Sequence, residues 1–152
     1  MRPYLIAFVL AVTAGLTQAD GVAETASETG LAEAGRLARD GQIDAALAVY
    51  RALSESQPES AAVHARMGGM LLLKQDYAEA VRNFQIAIGL DPENNGEAFV
   101  GLGIAYLHLG QYGPARAALT EARRLKPESA ADLEQVVAWL DGRTSNSEGS
   151  HR

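Results

Sequence analysis

The sequence predicts an all-α fold in which short helical hairpins stack on one another, and two observations predict it. The first is a repeat. His64, Met67-Gly68, Leu71, Tyr77, Ala80, Phe84, Ala87 and Pro92 stand at fixed offsets, and Phe99, Leu102-Gly103, Tyr106, Tyr112, Ala115, Leu119, Ala122 and Pro127 stand at the same offsets in the next stretch. A weaker copy precedes both. The second is what the repeated positions do physically. Each copy reads as two antiparallel helices joined by a tight turn. Gly68 and Gly103 fall inside the first helix, where glycine costs about 1 kcal/mol relative to alanine. A helix carries that cost when a neighbour packs on its backbone, and Ala80 and Ala115 are expected to supply the contact. Ala87 and Ala122 leave room for the next copy, and Pro92 and Pro127 end the second helix. One hairpin cannot bury its apolar face alone, so the copies must stack.

Along the chain, residues 1–19 read as a cleaved signal peptide. Arg2 carries the charge, Tyr4 to Leu16 is an uncharged apolar run, and Ala19 precedes Asp20 as a cleavage site. The run is short of the roughly 20 residues that span a bilayer. Residues 20–26 form a small, polar lead-in. The first hairpin occupies about 27–60. Ala46, Tyr50, Pro58 and the turn glycine Gly41 fit the pattern, whereas Gly30, Glu33, Ala34 and Leu53 depart from it. The second hairpin covers 61–95 and the third 96–128. Gly41 and Gly110 stand where a helix ends in a left-handed residue, and Gln75 takes that place at a modest strain. Asp91 to Gly96 is a turn, and Pro114 sits in a first helical turn. Ser129 then reads as an N-cap with Asp132 as its acid. Leu133, Val136, Val137 and Leu140 form one stripe of a capping helix over 129–141 that ends near Gly142. Trp139 is expected to pack on the last hairpin, and 143–152 to be a disordered tail.

These residues resemble the tetratricopeptide repeat, whose pattern is an aromatic, Leu-Gly, Tyr, Ala, an aromatic, Ala and Pro. The resemblance covers roughly residues 27–142. It implies a short right-handed solenoid of three helix-turn-helix repeats plus a C-terminal capping helix. It also implies a concave face lined by the first helix of each hairpin. From the first hairpin come Leu31, Ala32, Gly35, Ala38 and Arg39. The second gives Ala62, Ala65, Arg66, Gly69, Leu72 and Leu73, and the third gives Glu97, Val100, Gly101, Ile104, Leu107 and His108. Family members that clamp a carboxylate terminus place Lys and Asn where Ala65, Gly69, Val100 and Ile104 stand here, which argues against that mode. The candidate partner-binding groove is therefore Arg39, Arg66, Gly69, Leu72, Leu73, Val100, Ile104, Leu107 and His108. Leu72, Leu73, Ile104 and Leu107 serve as anchors for a peptide or amphipathic helix, unless they pack on neighbouring helices. Arg39 or Arg66 is placed to meet an acid on the ligand.

Chemistry is hard to find in the sequence. Without residues 1–19 the chain has 12 basic and 19 acidic side chains, a formal charge of −7. That balance opposes nucleic acid and anionic membrane surfaces. There is no cysteine, so disulfides, thiolate metal sites and a lipoprotein anchor are excluded. His64 takes the place of a packed aromatic and reads as a core histidine. Neither His64 nor His108 has a second ligand one turn away. Gly101-Leu102-Gly103 lacks the third glycine and the strand of a dinucleotide loop. The reading is a non-catalytic adaptor with no cofactor, periplasmic or secreted, that binds a protein or peptide client. Cytochrome c maturation and envelope or secretion assembly are the settings the resemblance suggests. A self-associating scaffold (a homo-oligomer) and a protein anchored by an uncleaved N-terminal helix are the alternatives.

Overall fold

A computed structural model describes residues 28–149, so the expected signal peptide and lead-in lie outside the described residues. Seven α-helices and no strand are found among them. Helix α1 spans residues 28–39. It is followed by α2 (Ile43–Ser56), α3 (Ala61–Leu73), α4 (Tyr77–Leu90), α5 (Gly96–His108) and α6 (Tyr112–Leu125). A 3-10 turn, Pro127–Ser129, leads into α7 (Ala130–Gly149). From α2 to α7 consecutive helices pack against each other, and α3 also meets α5 directly. None of the described helices is long and apolar enough to cross a membrane.

The three hairpins close in the same way. Gly41, Gln75 and Gly110 have φ of 75°, 63° and 70°. In each turn the left-handed residue donates to the carbonyl three residues back, and the next residue donates five residues back. The second bond is Gln42 N to Leu37 O at 2.9 Å, Asp76 N to Leu71 O at 2.9 Å, and Gln111 N to Tyr106 O at 2.9 Å. These paired bonds absorb the last carbonyls of α1, α3 and α5. The strain at Gln75 is held by the same two bonds that glycine makes free of charge elsewhere. At the helix starts, Ser60 Oγ accepts from Val63 N and Asp76 Oδ1 accepts from Glu79 N. The link between the second and third hairpins ties itself down. Asn95 Nδ2 donates to Ala87 O at 3.1 Å and to Asp91 O at 2.6 Å, satisfying carbonyls at the end of α4.

The core runs the length of the stack in two clusters that share Tyr106 as a half-buried bridge. Ala46, Ala80 and Ala115 are fully buried, as are Ala87 and Ala122. The helix glycines, however, are packed by larger groups than the expected alanines. A Cβ on Gly68 would stand 2.7 Å from the Phe84 ring, and one on Gly103 would stand 2.5 Å from Leu119. A Cβ on Gly101, in the next hairpin, would stand 2.3 Å from the same Phe84 ring. Phe84 is thus held between α3 and α5 and couples one hairpin to the next. In the first hairpin the volumes are exchanged. Leu53 fills the space beside Gly30, where a Cβ would stand 3.0 Å from it, so the departures at these two positions compensate each other.

The C-terminal helix differs from the sequence reading in three ways. The chain becomes helical at Pro127, so Ser129 lies inside the 3-10 turn rather than ahead of the helix. Leu133, Val137 and Leu140 are buried, but Val136 and Trp139 are exposed. Trp139 meets Tyr112 edge-on at 6.1 Å, and the Arg143 guanidinium lies 4.4 Å from the Trp139 ring while donating to the Tyr112 hydroxyl at 3.0 Å. Finally, α7 continues past Gly142. A single interior glycine costs only about 1 kcal/mol, and Arg143 clasps the turn across it.

Candidate partner-binding groove

The first helices of the hairpins, α1, α3 and α5, line two adjoining hollows. The first holds about 650 Å³ between α1 and α3. Its walls are small and apolar (Ala32, Gly35, Ala38, Ala62), with Tyr50 and Met70 at the floor and Arg39 and Arg66 as the polar groups. The Arg39 guanidinium folds back toward Gly35, its Nη1 standing 3.6 Å from where a Cβ would be. Neither arginine has a carboxylate partner among the described residues.

The second hollow, about 480 Å³, lies between α3 and α5 and shares Ala62 and Arg66 with the first. Its rim is acidic: Glu93, Glu97 and Glu128. Lys126 bridges Glu97 at 3.5 Å and Glu128 at 3.1 Å, while Arg124 reaches Glu93 at 3.3 Å. The Glu128 side chain holds the Lys126 ammonium above its ordinary pKa. Glu128 is pushed below the carboxylate range by its own backbone N–H first, and by Lys126 second. Beyond the hollows, at the far ends of α3 and α5, Leu73 is 64% exposed and Ile104 is 38% exposed. Gly69 faces open space.

Two family models, both described as tetratricopeptide repeat, match the chain over residues 31–95 and 71–140, and together they span the stack from α1 into α7. The chain belongs to the tetratricopeptide repeat family. Solved structures agree on the fold. The complex of the TPR2B domain of yeast Sti1 with pHsp70 is 21% identical with a TM-score of 0.70, covering 77% of this chain and 97% of that one. PcrH in complex with the chaperone binding region of PopD is 19% identical with a TM-score of 0.76, covering 80% and 95%. The first repeat domain of Spaghetti bound to an HSP90 peptide is 13% identical with a TM-score of 0.72, covering 78% and 93%. No curated protein matches the chain.

In this tetratricopeptide repeat protein the residues of the sequence-derived groove do not all stand together. Arg39 and Arg66 come together in one hollow, and Leu73, Ile104 and Gly69 remain open. Leu72, Val100 and Leu107 are half-buried against the core clusters, which makes them packing residues more than free anchors. Gly101 leaves the groove altogether, since it is buried on Phe84. His108 is exposed and stacks on Tyr77 at 4.3 Å with the planes parallel, near the turn edge. His64 is half-buried with both ring nitrogens engaged, Nε2 at 3.0 Å from Pro58 O and Nδ1 at 3.4 Å from Asn83 Oδ1. Sequence mapping missed Tyr50 and Met70. Met70 lies one turn beyond Arg66 on α3 and was findable by that spacing, whereas Tyr50 reaches the hollow from α2, which no position along a first helix reveals. Among the described residues no group of three or more His, Cys, Asp or Glu is placed to hold a metal.

Proposed function

We propose that the chain is an exported, non-catalytic adaptor whose concave surface holds a peptide or helix of a client protein. Its setting is the periplasm or an extracellular space. Its role is that of an assembly factor, in cytochrome c maturation or in an envelope or secretion complex. The carrying observation is the surface formed by α1, α3 and α5. Besides the two adjoining hollows, Leu73 and Ile104 are large apolar side chains left exposed on α3 and α5, helices whose Val63, Met67, Leu71 and Leu102 are buried. Exposed apolar concavities of this kind are sites of protein contact. Structures of the same fold that are complexes with a partner support the reading without choosing the client. Export rests on the character of residues 1–19 alone, and a mature chain beginning at Asp20 by mass spectrometry is the outcome that agrees with it.

Capture from the envelope fraction of the native organism tests the groove, with residues 20–152 as bait and Leu73→Glu and Ile104→Glu as controls. The proposal expects a partner retained by the unaltered bait and lost by both variants, with helicity intact by circular dichroism. Capture that is equal for all three baits places the contact elsewhere and removes the groove.

A further inference from the structure

The hollow between α1 and α3 has an electrostatic character unlike the rest of the surface. Seven other arginines and lysines among the described residues each meet a carboxylate, and Arg143 lies against Trp139 and Tyr112. Arg82 stands outside the hollows, on α4. Arg39 and Arg66 are the two cations that share one concavity, and that concavity contains no acidic residue. The adjoining hollow differs: beside the shared Arg66, three carboxylates line it, and one lysine is divided between two of them. A chain with a formal charge of −6 therefore keeps an acid-free, doubly cationic patch on an apolar wall. Guanidinium groups at such a site favour a carboxylate, through charge-assisted and bidentate hydrogen bonds. The carboxylates next door are already paired with Arg124 and Lys126, so the cationic charge without a carboxylate partner lies at Arg39 and Arg66, which assigns the ligand's carboxylate a position along the groove.

We propose that the client segment held by this protein carries an acidic side chain, Asp or Glu, among apolar neighbours. Its carboxylate sits between Arg39 and Arg66, and the flanking apolar groups lie on Ala32, Tyr50 and Met70. This rests on the groove reading above. The two hollows adjoin at Ala62 and Arg66, so the acid is taken as a side chain of a segment that runs on along the groove rather than as its terminus.

The test is selection of random displayed peptides, amidated when resynthesised, on the full chain. Arg39→Gln, Arg66→Gln and Arg82→Gln serve as variants, each checked for unchanged helicity. The expected result is enrichment of peptides with one Asp or Glu flanked by apolar residues. Their affinity falls about tenfold at each hollow arginine, corresponding to ~1.4 kcal/mol, and is unmoved at Arg82. Enriched peptides that are apolar without an acid, bound equally by the Arg39 and Arg66 variants, overturn this proposal and leave the groove reading standing. No enrichment at all overturns both. A concentration-dependent dimer abolished by the Arg39→Gln/Arg66→Gln pair seats a second copy in the hollow and likewise overturns the peptide proposal.

Discussion

Gly101→Ala is a one-atom test of how the hairpins are joined. The new Cβ would stand 2.3 Å from Phe84 Cζ and 2.7 Å from each Cε, where carbon atoms settle at ~3.5–4.0 Å. A free ring would swing away. Phe84 is only 4% exposed, and its opposite approach is closed by Gly68, where a Cβ would stand 2.7 Å from Cε1. Overpacking of this kind costs about 1–3 kcal/mol, and the closed far side places Gly101 at the upper end. Alanine returns about 1 kcal/mol of helix propensity, leaving a net loss of about 2 kcal/mol. Gly69→Ala is the matched control. It lies on α3 with nothing within 4 Å of its Cβ, so it shows the propensity gain alone, up to about 1 kcal/mol. Urea denaturation with a common slope reads both differences. Opposite signs are expected from the same substitution. Stabilisation by Gly101→Ala would refute the clamp on Phe84 and, with it, the packing of the second hairpin on the third.

Other outcomes follow from the same contacts. Gln75→Gly should raise stability by about 0.5–1 kcal/mol, because a non-glycine residue at φ 63° is strained; a loss in thermal melting would show that the Gln75 side chain contributes something the turn does not reveal. Leu53→Ala empties the space beside Gly30 and should cost about 2–4 kcal/mol, with amide exchange of α1 rising first. Unchanged exchange in α1 would argue that Leu53 does not hold that helix. Acid should also act through Glu33 and Glu128. Glu33 is lowered chiefly by its hydrogen bond from Arg36, and Glu128 by its own backbone N–H and then Lys126. A carboxylate lowered in the folded state stabilises above the ordinary range and loses that contribution as pH falls through its folded value. The melting temperature should therefore drop below about pH 4.5, and Glu33→Gln/Glu128→Gln should flatten part of that drop. An unchanged profile in the double variant would remove these two groups from the acid response.

The repeat offsets carried the fold because they encode geometry that has few solutions. A left-handed residue must end α1, α3 and α5, and even Gln75 obeys. Small residues must stand where helices cross, and Ala80, Ala87, Ala115 and Ala122 are all buried. The groove was less legible, since residues at the margin of a helical face are assigned by the size of their neighbours. Gly101 joins the core because Phe84 is large, and Leu72 and Leu107 tip inward while Leu73 and Ile104 stay out. On α7 the apolar residues lie on both sides of the helix, so periodicity alone could not tell the buried Val137 from the exposed Trp139. Nor does sequence reveal Arg143 clasping Trp139 and carrying the helix past Gly142.

The most direct measurement is site-specific photocrosslinking in the native cell, with a photoreactive residue at 73, at 104, or at 86. Leu73 and Ile104 lie on the first helices α3 and α5, while Ile86, comparably exposed at 44%, lies on the second helix α4. A common partner crosslinked from 73 and 104 but not from 86 is the result the groove requires. Crosslinks from 86 alone, or equally from all three positions, would contradict binding on the concave face.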